Sequence, residues 1–310
     1  MGVGNSPVVT RYAPSPTGYL HLGHVVNAIY VWGLARFHGG QVLLRIEDHD
    51  RIRCRPEYER ALLEDLDWLG FVPDSGRVPL VRQSDRQDVY AAALARLRQS
   101  HHVYACDCSR KTIGGERYGG RCRDRGLVET PGHTLRVQVP SGVERFTDLR
   151  LGPLEQSPVD QCGDLAIKDR DGHWTYQFAV TVDDMNQAVT LVVRGEDLLS
   201  STGRQVALGR MLGRTEPPQF LHHPLIFTPS GEKLSKSAGD TGVRHLRAAG
   251  VSAAAVIGRA AAAVGLIPEA RPVEATDVAD LITGSGRDER IPPPPYASGS
   301  RRRQGVPESG

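Results

Sequence analysis

Hydrophobic positions in the first hundred residues follow two alternating periods. Val8 and Val9 form a short apolar run, and Val25, Val26, Ile29, Tyr30 and Trp32 then recur at helical spacing. The run at 41–48 predicts a buried strand that ends in charged residues, among them Glu47 and Asp48. Pro56 opens a helix with Tyr58, Ala61, Leu62, Leu66 and Leu69 on one face, and Gly70 is placed to cap it. Residues 86–100 predict a further helix, with Val89, Ala93, Leu94 and Leu97 apolar, and 102–105 predict the next strand. Such strand–helix alternation predicts an α/β fold with a doubly wound parallel sheet, whose ligands bind beyond the carboxyl ends of the strands.

Further along, Leu135, Val137 and Val139 alternate with polar residues, a strand-like pattern over 134–158. With the cysteine-rich segment before it, this reads as an insertion between two halves of the sheet. The fold is expected to resume at 163–168. A buried strand follows at 189–197 with Arg194 near its carboxyl end, then a helix at 201–212 with Thr202 as its cap, and a last strand at 221–227. Residues 243–266 are Ala-rich and helical in pattern, and 275–282 predict one more short helix. The resulting division is 8–105 for the first half of a nucleotide-binding fold, 106–160 for the insertion and 161–240 for the second half. Residues 241–282 form a helical C-terminal region. From 283 to 310 the chain is Gly, Pro, Ser and Arg, the composition of a disordered tail.

Two segments carry candidate chemistry. Residues 10–24 form a loop with two Pro and two Gly that opens into a helix N-terminus, where unpaired N–H groups and the helix dipole favour an anion. His21 and His24, three apart, can lie on one face there, with Gly23 between them, an arrangement suited to the phosphates of a nucleotide. The run Glu-Lys-Leu-Ser-Lys-Ser at 232–237, after a Pro-Ser-Gly turn, places Lys233 and Lys236 where they can neutralise charge on a transferring phosphate. Arg45, Glu47 and Asp48 read equally well as a surface ion-pair cluster.

Of the 310 residues, 39% are apolar and 24% charged, which fits a globular protein with a sizeable core, and the net charge of +2 does not by itself point to nucleic acid. No apolar run approaches the ~20 residues that span a bilayer, and no secretory signal precedes the first strand, so the cytoplasm is the expected compartment. Of five cysteines, Cys106, Cys108 and Cys122 crowd into residues 106–122, a pattern better suited to a metal such as zinc than to disulfides. His101, His102 and His133 are alternative ligands by spacing, while Cys54 and Cys162 read as ordinary thiols.

The His-Leu-Gly-His loop, followed in this order by Lys-Leu-Ser-Lys-Ser, resembles the signature pair of class I aminoacyl-tRNA synthetases. The preceding run Arg11, Tyr12, Ala13, Pro14, Ser15, Pro16, Thr17 and Gly18 narrows the resemblance to the glutamyl and glutaminyl branch. The resemblance covers roughly 8–265 and implies a Rossmann-like fold that binds ATP with Mg2+. His21, Gly23, His24 and Lys236 would lie on the nucleotide, and Lys233 would assist. It also implies an L-glutamate pocket of Arg11, Ser15, Glu47, Tyr176 and Arg194. Cys-x-Cys with Tyr-x-x-x-Cys is similar to the zinc set of shortened glutamyl synthetase paralogues that modify tRNA, the glutamyl-queuosine tRNA(Asp) synthetase family. The matching residues are Cys106, Cys108, Tyr118 and Cys122, and the zinc would be structural.

About seventy residues follow the lysine loop, too few for the helical anticodon-reading domain of a full glutamyl-tRNA synthetase. What this family resemblance implies is activation of glutamate without tRNA and its transfer to queuosine at the wobble position of tRNA(Asp); separately, a monomer is expected. The competing readings are a discriminating glutamyl-tRNA synthetase acting on the tRNA 3′ end, a glutaminyl enzyme, and a non-catalytic paralogue that binds amino acid or RNA.

Overall fold

A computed structural model describes residues 8–49, 53–74, 80–115, 117–227 and 242–283. The expected lysine loop, with Lys233 and Lys236, and the expected disordered tail lie outside the described residues. The fold is α/β. Strands β1 (Val9–Tyr12), β2 (Gln41–Ile46) and β3 (Val81–Arg82) run parallel, with β2 in the middle. Between β1 and β2 lies α1 (Leu22–Phe37), which is apolar on every side and accordingly buried almost throughout from Val25 to Ala35. The next helix, α2 (Pro56–Leu69), is amphipathic. It starts on Pro56, buries Ala61, Leu62, Leu66 and Leu69, and stops at Gly70 in the left-handed conformation (φ 80°).

After α3 (Gln87–Ser100), strand β4 (Val103–Cys106) leads through α4 (Arg110–Ile113) to β5 (Thr134–Val137), β6 (Glu144–Asp148) and β7 (Gly152–Gln156). Then come α5 (Pro158–Gln161), β8 (Leu165–Lys168), α6 (Tyr176–Asn186), β9 (Leu191–Gly195), α7 (Thr202–Met211) and β10 (Gln219–His223). A four-stranded sheet runs in the order β7-β6-β10-β9. In it β10 is parallel to both β9 and β6, while β6 and β7 form an antiparallel hairpin. It meets the first sheet at β1, where Thr190 N–H donates to Val9 O and Val9 N–H to Thr190 Oγ1, each at 2.9 Å. The strands that carry Arg11 and Arg194 therefore lie side by side.

The structure departs from the expected layout in three places. Residues 163–168 were expected to resume the parallel sheet, but β8 pairs antiparallel with β5, and β5 in turn with β4, in a separate three-stranded sheet. Alternation marks such segments as half-buried strands without saying which edge they join. Conversely β6, expected to lie wholly within an insertion, enters the main sheet beside Phe220 through Asp148. The Ala-rich stretch 243–266 breaks into α8 (Val243–Ala248) and α9 (Ala253–Ala263). Gly250 turns left-handed (φ 78°) after the first, and Ser252 Oγ accepts the Ala255 N–H to start the second. Val256, Ile257 and Ala260 of α9 and Val278 of α10 (Val278–Thr283) share one apolar core with Ile29 and Trp32 of α1. Among the described residues no helix is long and apolar enough to cross a membrane.

Candidate active site

The histidine loop ends in a helix cap built from its own imidazoles. His21 is the N-cap of α1, its Nδ1 accepting the Gly23 N–H at 3.1 Å, and His24 Nδ1 accepts the His21 N–H at 3.1 Å. An Nδ1 that accepts leaves the ring proton on Nε2, so both rings are set as Nε2–H donors, 4.0 Å apart between centroids. Gly23 is needed for this approach, since a Cβ there would lie 2.9 Å from His21 Cε1.

These residues line a cavity of about 630 Å³ at the carboxyl ends of β1, β2 and β9. Arg11, Ser15, Glu47, Tyr176 and Arg194 line it too, so the structure brings eight of the expected site residues into one cleft. Lys233 and Lys236 lie outside the described residues, in the stretch 228–241, and it is the described residues on either side of that gap that reach this cleft. Ile226 lines it on one side of the gap. On the other, Gly242 bridges to His21, and Val243 N–H donates to Leu20 O at 2.9 Å.

Beneath the cavity lies an ionic cluster that sequence reasoning missed. Asp184 Oδ1 accepts from Arg11 Nε at 3.0 Å and from Arg45 Nη1 at 2.8 Å. Arg45 also reaches Glu47 at 3.1 Å and Asp183 at 3.8 Å, and Asp183 pairs with Arg86 at 2.6 Å. Arg45 is fully buried and Glu47 nearly so, which corrects the surface ion-pair reading for these two, while Asp48 is half-buried. Burial raises Asp184, but Arg11 and Arg45 outweigh it and hold the carboxyl below its usual range. Burial also raises Glu47, and there the same two arginines do not cancel it. The available signal was Asp183 and Asp184 set within the apolar residues of α6.

Arg194 differs from these arginines. It is buried, and its guanidinium meets neutral groups: it donates to His222 Nε2 at 3.1 Å, Gln205 Oε1 at 2.6 Å and Thr202 Oγ1 at 2.8 Å, and the Tyr176 hydroxyl is a further hydrogen-bond partner. Thr202 therefore serves Arg194 instead of capping α7 as expected, and the N-cap of that helix, Ser201, makes no side-chain cap bond. No carboxylate among the described residues lies within ion-pair distance of Arg194, and burial lowers its pKa. Tyr176, at the start of α6, is pushed up by burial and stays a neutral phenol. On the opposite wall His223 stacks on Tyr30, donates from Nδ1 to Pro224 O and accepts from Asn27 at Nε2. Burial holds it down to about 4, so it is neutral.

Away from the cavity, Cys106, Cys108 and Cys122 are buried with their sulfurs within 4.8 Å of one another. Tyr118 Oη lies 3.4 Å from Cys106 Sγ. A tetrahedral zinc with Zn–S of about 2.3 Å places sulfurs about 3.8 Å apart, and Cys108 and Cys122 stand at 3.5 Å. The donor set thus fits a metal. None of His101, His102 and His133 belongs to it. All five cysteines are free thiols.

A parallel sheet with an imidazole-capped first helix above such a cavity is the catalytic domain of a class I aminoacyl-tRNA synthetase. Residues 7–270 match the family of class I tRNA synthetases (E and Q), catalytic domain. The chain is 40% identical over 298 residues to a glutamyl-Q tRNA(Asp) synthetase of Nitratidesulfovibrio vulgaris, covering 88% of this chain and 91% of the relative. It is 46% identical over 244 residues to that of Geobacter sulfurreducens, covering 74% and 76%. Among solved structures it resembles a glutamate tRNA ligase of Elizabethkingia meningosepticum in complex with its amino acid. The TM-score is 0.67 at 32% identity, over 76% of this chain and 53% of that one, so the chain spans about half the length of that ligase. The chain belongs to the glutamyl-Q tRNA(Asp) synthetase family of class I synthetases.

Proposed function

We propose that this protein activates L-glutamate with ATP, in the absence of tRNA, and transfers the glutamyl group to queuosine at the wobble position of tRNA(Asp), acting as a monomer in the cytoplasm. The observation that carries the choice of amino acid is the unpaired charge on Arg194. The cluster beneath the cavity is balanced, with Arg11, Arg45 and Arg86 against Glu47, Asp183 and Asp184. Arg194 is left as a buried surplus cation, which calls for an anion from outside. Of its five N–H bonds three go to His222, Gln205 and Thr202, and what remains on the Nη atoms, shared with the Tyr176 hydroxyl, is available to a side-chain carboxylate. Glu47 would take the α-ammonium, with Arg11, Ser15 and Tyr176 completing the pocket.

With glutamate so held, an α-carboxylate oxygen attacks the α-phosphorus of Mg-ATP, the bond to pyrophosphate breaks, and glutamyl-AMP forms. Positioning supplies much of the acceleration. The Nε2–H groups of His21 and His24 donate to phosphate at the positive end of α1, beside Gly23, and Lys236 and Lys233 neutralise the departing charge. A hydroxyl of the queuosine cyclopentene diol then attacks the acyl carbonyl, forming the ester and releasing AMP. Cys106, Cys108, Tyr118 and Cys122 would hold one zinc, which when bound cross-links their segment and leaves no coordination position open for chemistry.

The test uses labelled glutamate, ATP and tRNA(Asp) prepared with and without queuosine, followed by nuclease mapping of the label. The reading requires label on the wobble nucleotide of queuosine-containing tRNA alone. Label on the 3′ end, independent of queuosine, would instead identify a glutamyl-tRNA synthetase.

A further inference from the structure

The acceptors around Arg194 hold the cation without neutralising it, and one of them has its polarity set by a carboxylate. His222 Nδ1 lies 2.6 Å from Asp148 Oδ2, and the same oxygen accepts the His222 N–H at 3.0 Å. Asp148 Oδ1 takes the N–H groups of Arg150 and Leu151, both at 2.9 Å. Arg150 closes the arrangement by donating to His222 O at 2.6 Å and to Glu196 at 2.7 Å. Four donors keep Asp148 ionised. The imidazole proton therefore stays on Nδ1, and Nε2 presents its lone pair to Arg194 Nε at 3.1 Å and to the Thr202 hydroxyl at 3.0 Å, which itself accepts from Arg194 Nη2.

We propose that Asp148 and His222 are positioning residues for amino-acid recognition: together they lock the tautomer that holds Arg194 ready for a side-chain carboxylate. This rests on the glutamate-activating reading above. The other tautomer would set Nε2–H against the Arg194 Nε–H, donor against donor, and would leave that proton only Thr202 Oγ1 to go to, so the guanidinium would lose its acceptor at Nε. Selectivity for a carboxylate over an amide is thereby assigned to a pair 74 residues apart in sequence, on β6 and β10.

The test measures glutamate and glutamine binding by calorimetry on the full chain, with Michaelis constants from ATP–pyrophosphate exchange and thermal melting to report folding. His222→Leu removes the acceptor. His222→Gln keeps an oxygen for Arg194 and an N–H for Asp148. We expect His222→Leu to weaken glutamate binding by about thirtyfold, as for a lost hydrogen bond to a charged group, with the KM for ATP within about twofold and the preference over glutamine reduced by about tenfold. His222→Gln should stay within about fivefold of the parent. If His222→Leu does not fold, Asp148→Asn carries the same expectation. A folded His222→Leu or Asp148→Asn protein that binds glutamate as the parent does, or a His222→Gln protein as impaired as His222→Leu, overturns this inference alone. A parent with no preference for glutamate overturns it together with the reading it rests on.

Discussion

Arg45 Nη1 lies 2.8 Å from Asp184 Oδ1 beneath the cavity, with the guanidinium fully buried. The same carboxylate oxygen holds Arg11 at 3.0 Å. Asp184→Asn keeps the shape but leaves two buried guanidinium groups short of one negative charge. It should destabilise the protein by about 3–5 kcal/mol, read by urea denaturation at neutral pH. The KM for glutamate should rise as Arg11 loses its anchor. A loss within about 0.5 kcal/mol, the range of ordinary surface changes, would show that the cluster is not electrostatically closed.

Asp65 gives a stability change of opposite sign. It is buried on α2, its Oδ2 makes no hydrogen bond, and burial pushes it up to about 6 against the partial pull of Arg244 and Arg247. Its folded-state value therefore lies above an unfolded value of about 3.9, so the ionised form costs stability at neutral pH. That cost is relieved as pH falls through about 6 and is gone below about 4. Asp65→Asn should stabilise the protein by about 1–2 kcal/mol at pH 7, with the difference closing on acidification. Parallel stability curves for the two proteins from pH 7 to pH 4 would contradict this.

Gly23→Ala tests the imidazole cap. The new Cβ would meet His21 Cε1 at 2.9 Å and Nδ1 at 3.0 Å, displacing the ring from the Gly23 N–H. Stability should drop by about 1 kcal/mol, as for a lost N-cap. Misplacement of His21 should lower kcat/KM for ATP by on the order of tenfold to a hundredfold, measured by pyrophosphate exchange.

The thiol cluster sits on the small antiparallel sheet, apart from the cavity, with Arg123 and Tyr104 both bound to the buried Asp164 beside it. Metal analysis should find zinc bound to the protein, with Cys108→Ser reducing the amount. Chelation should lower the melting temperature while the rate of glutamate-dependent exchange at 25 °C stays within about twofold, because a four-ligand site has no open position for chemistry.

What was legible in the sequence follows from how local each signal is. His21, Gly23 and His24 act through neighbours one to three residues away, so spacing alone placed them at a helix start. The parallel sheet was visible through the alternation of periods from β1 to α3. Glu47, Tyr176 and Arg194 were placed through family resemblance, and the structure puts all three on the cavity wall. Arg45 and Asp184 are 139 residues apart, and a charged residue in an apolar run gives no indication of its distant partner. Asp148 was hidden for the same reason, and more so because its strand reads as part of an insertion. For β8 the period was visible but the pairing was not, since alternation specifies a face and not a neighbour.

The central claim is that one cleft joins an imidazole-capped phosphate site to an arginine awaiting a side-chain carboxylate. Its most direct measurement is ATP–pyrophosphate exchange without tRNA, comparing glutamate with glutamine in the parent protein and in Arg194→Met. The account predicts glutamate-dependent exchange in the parent, with glutamine a poor substrate, and a loss of about a hundredfold or more in kcat/KM for glutamate in the variant. Equal exchange with the two amino acids, or an Arg194→Met protein as active on glutamate as the parent, would contradict it.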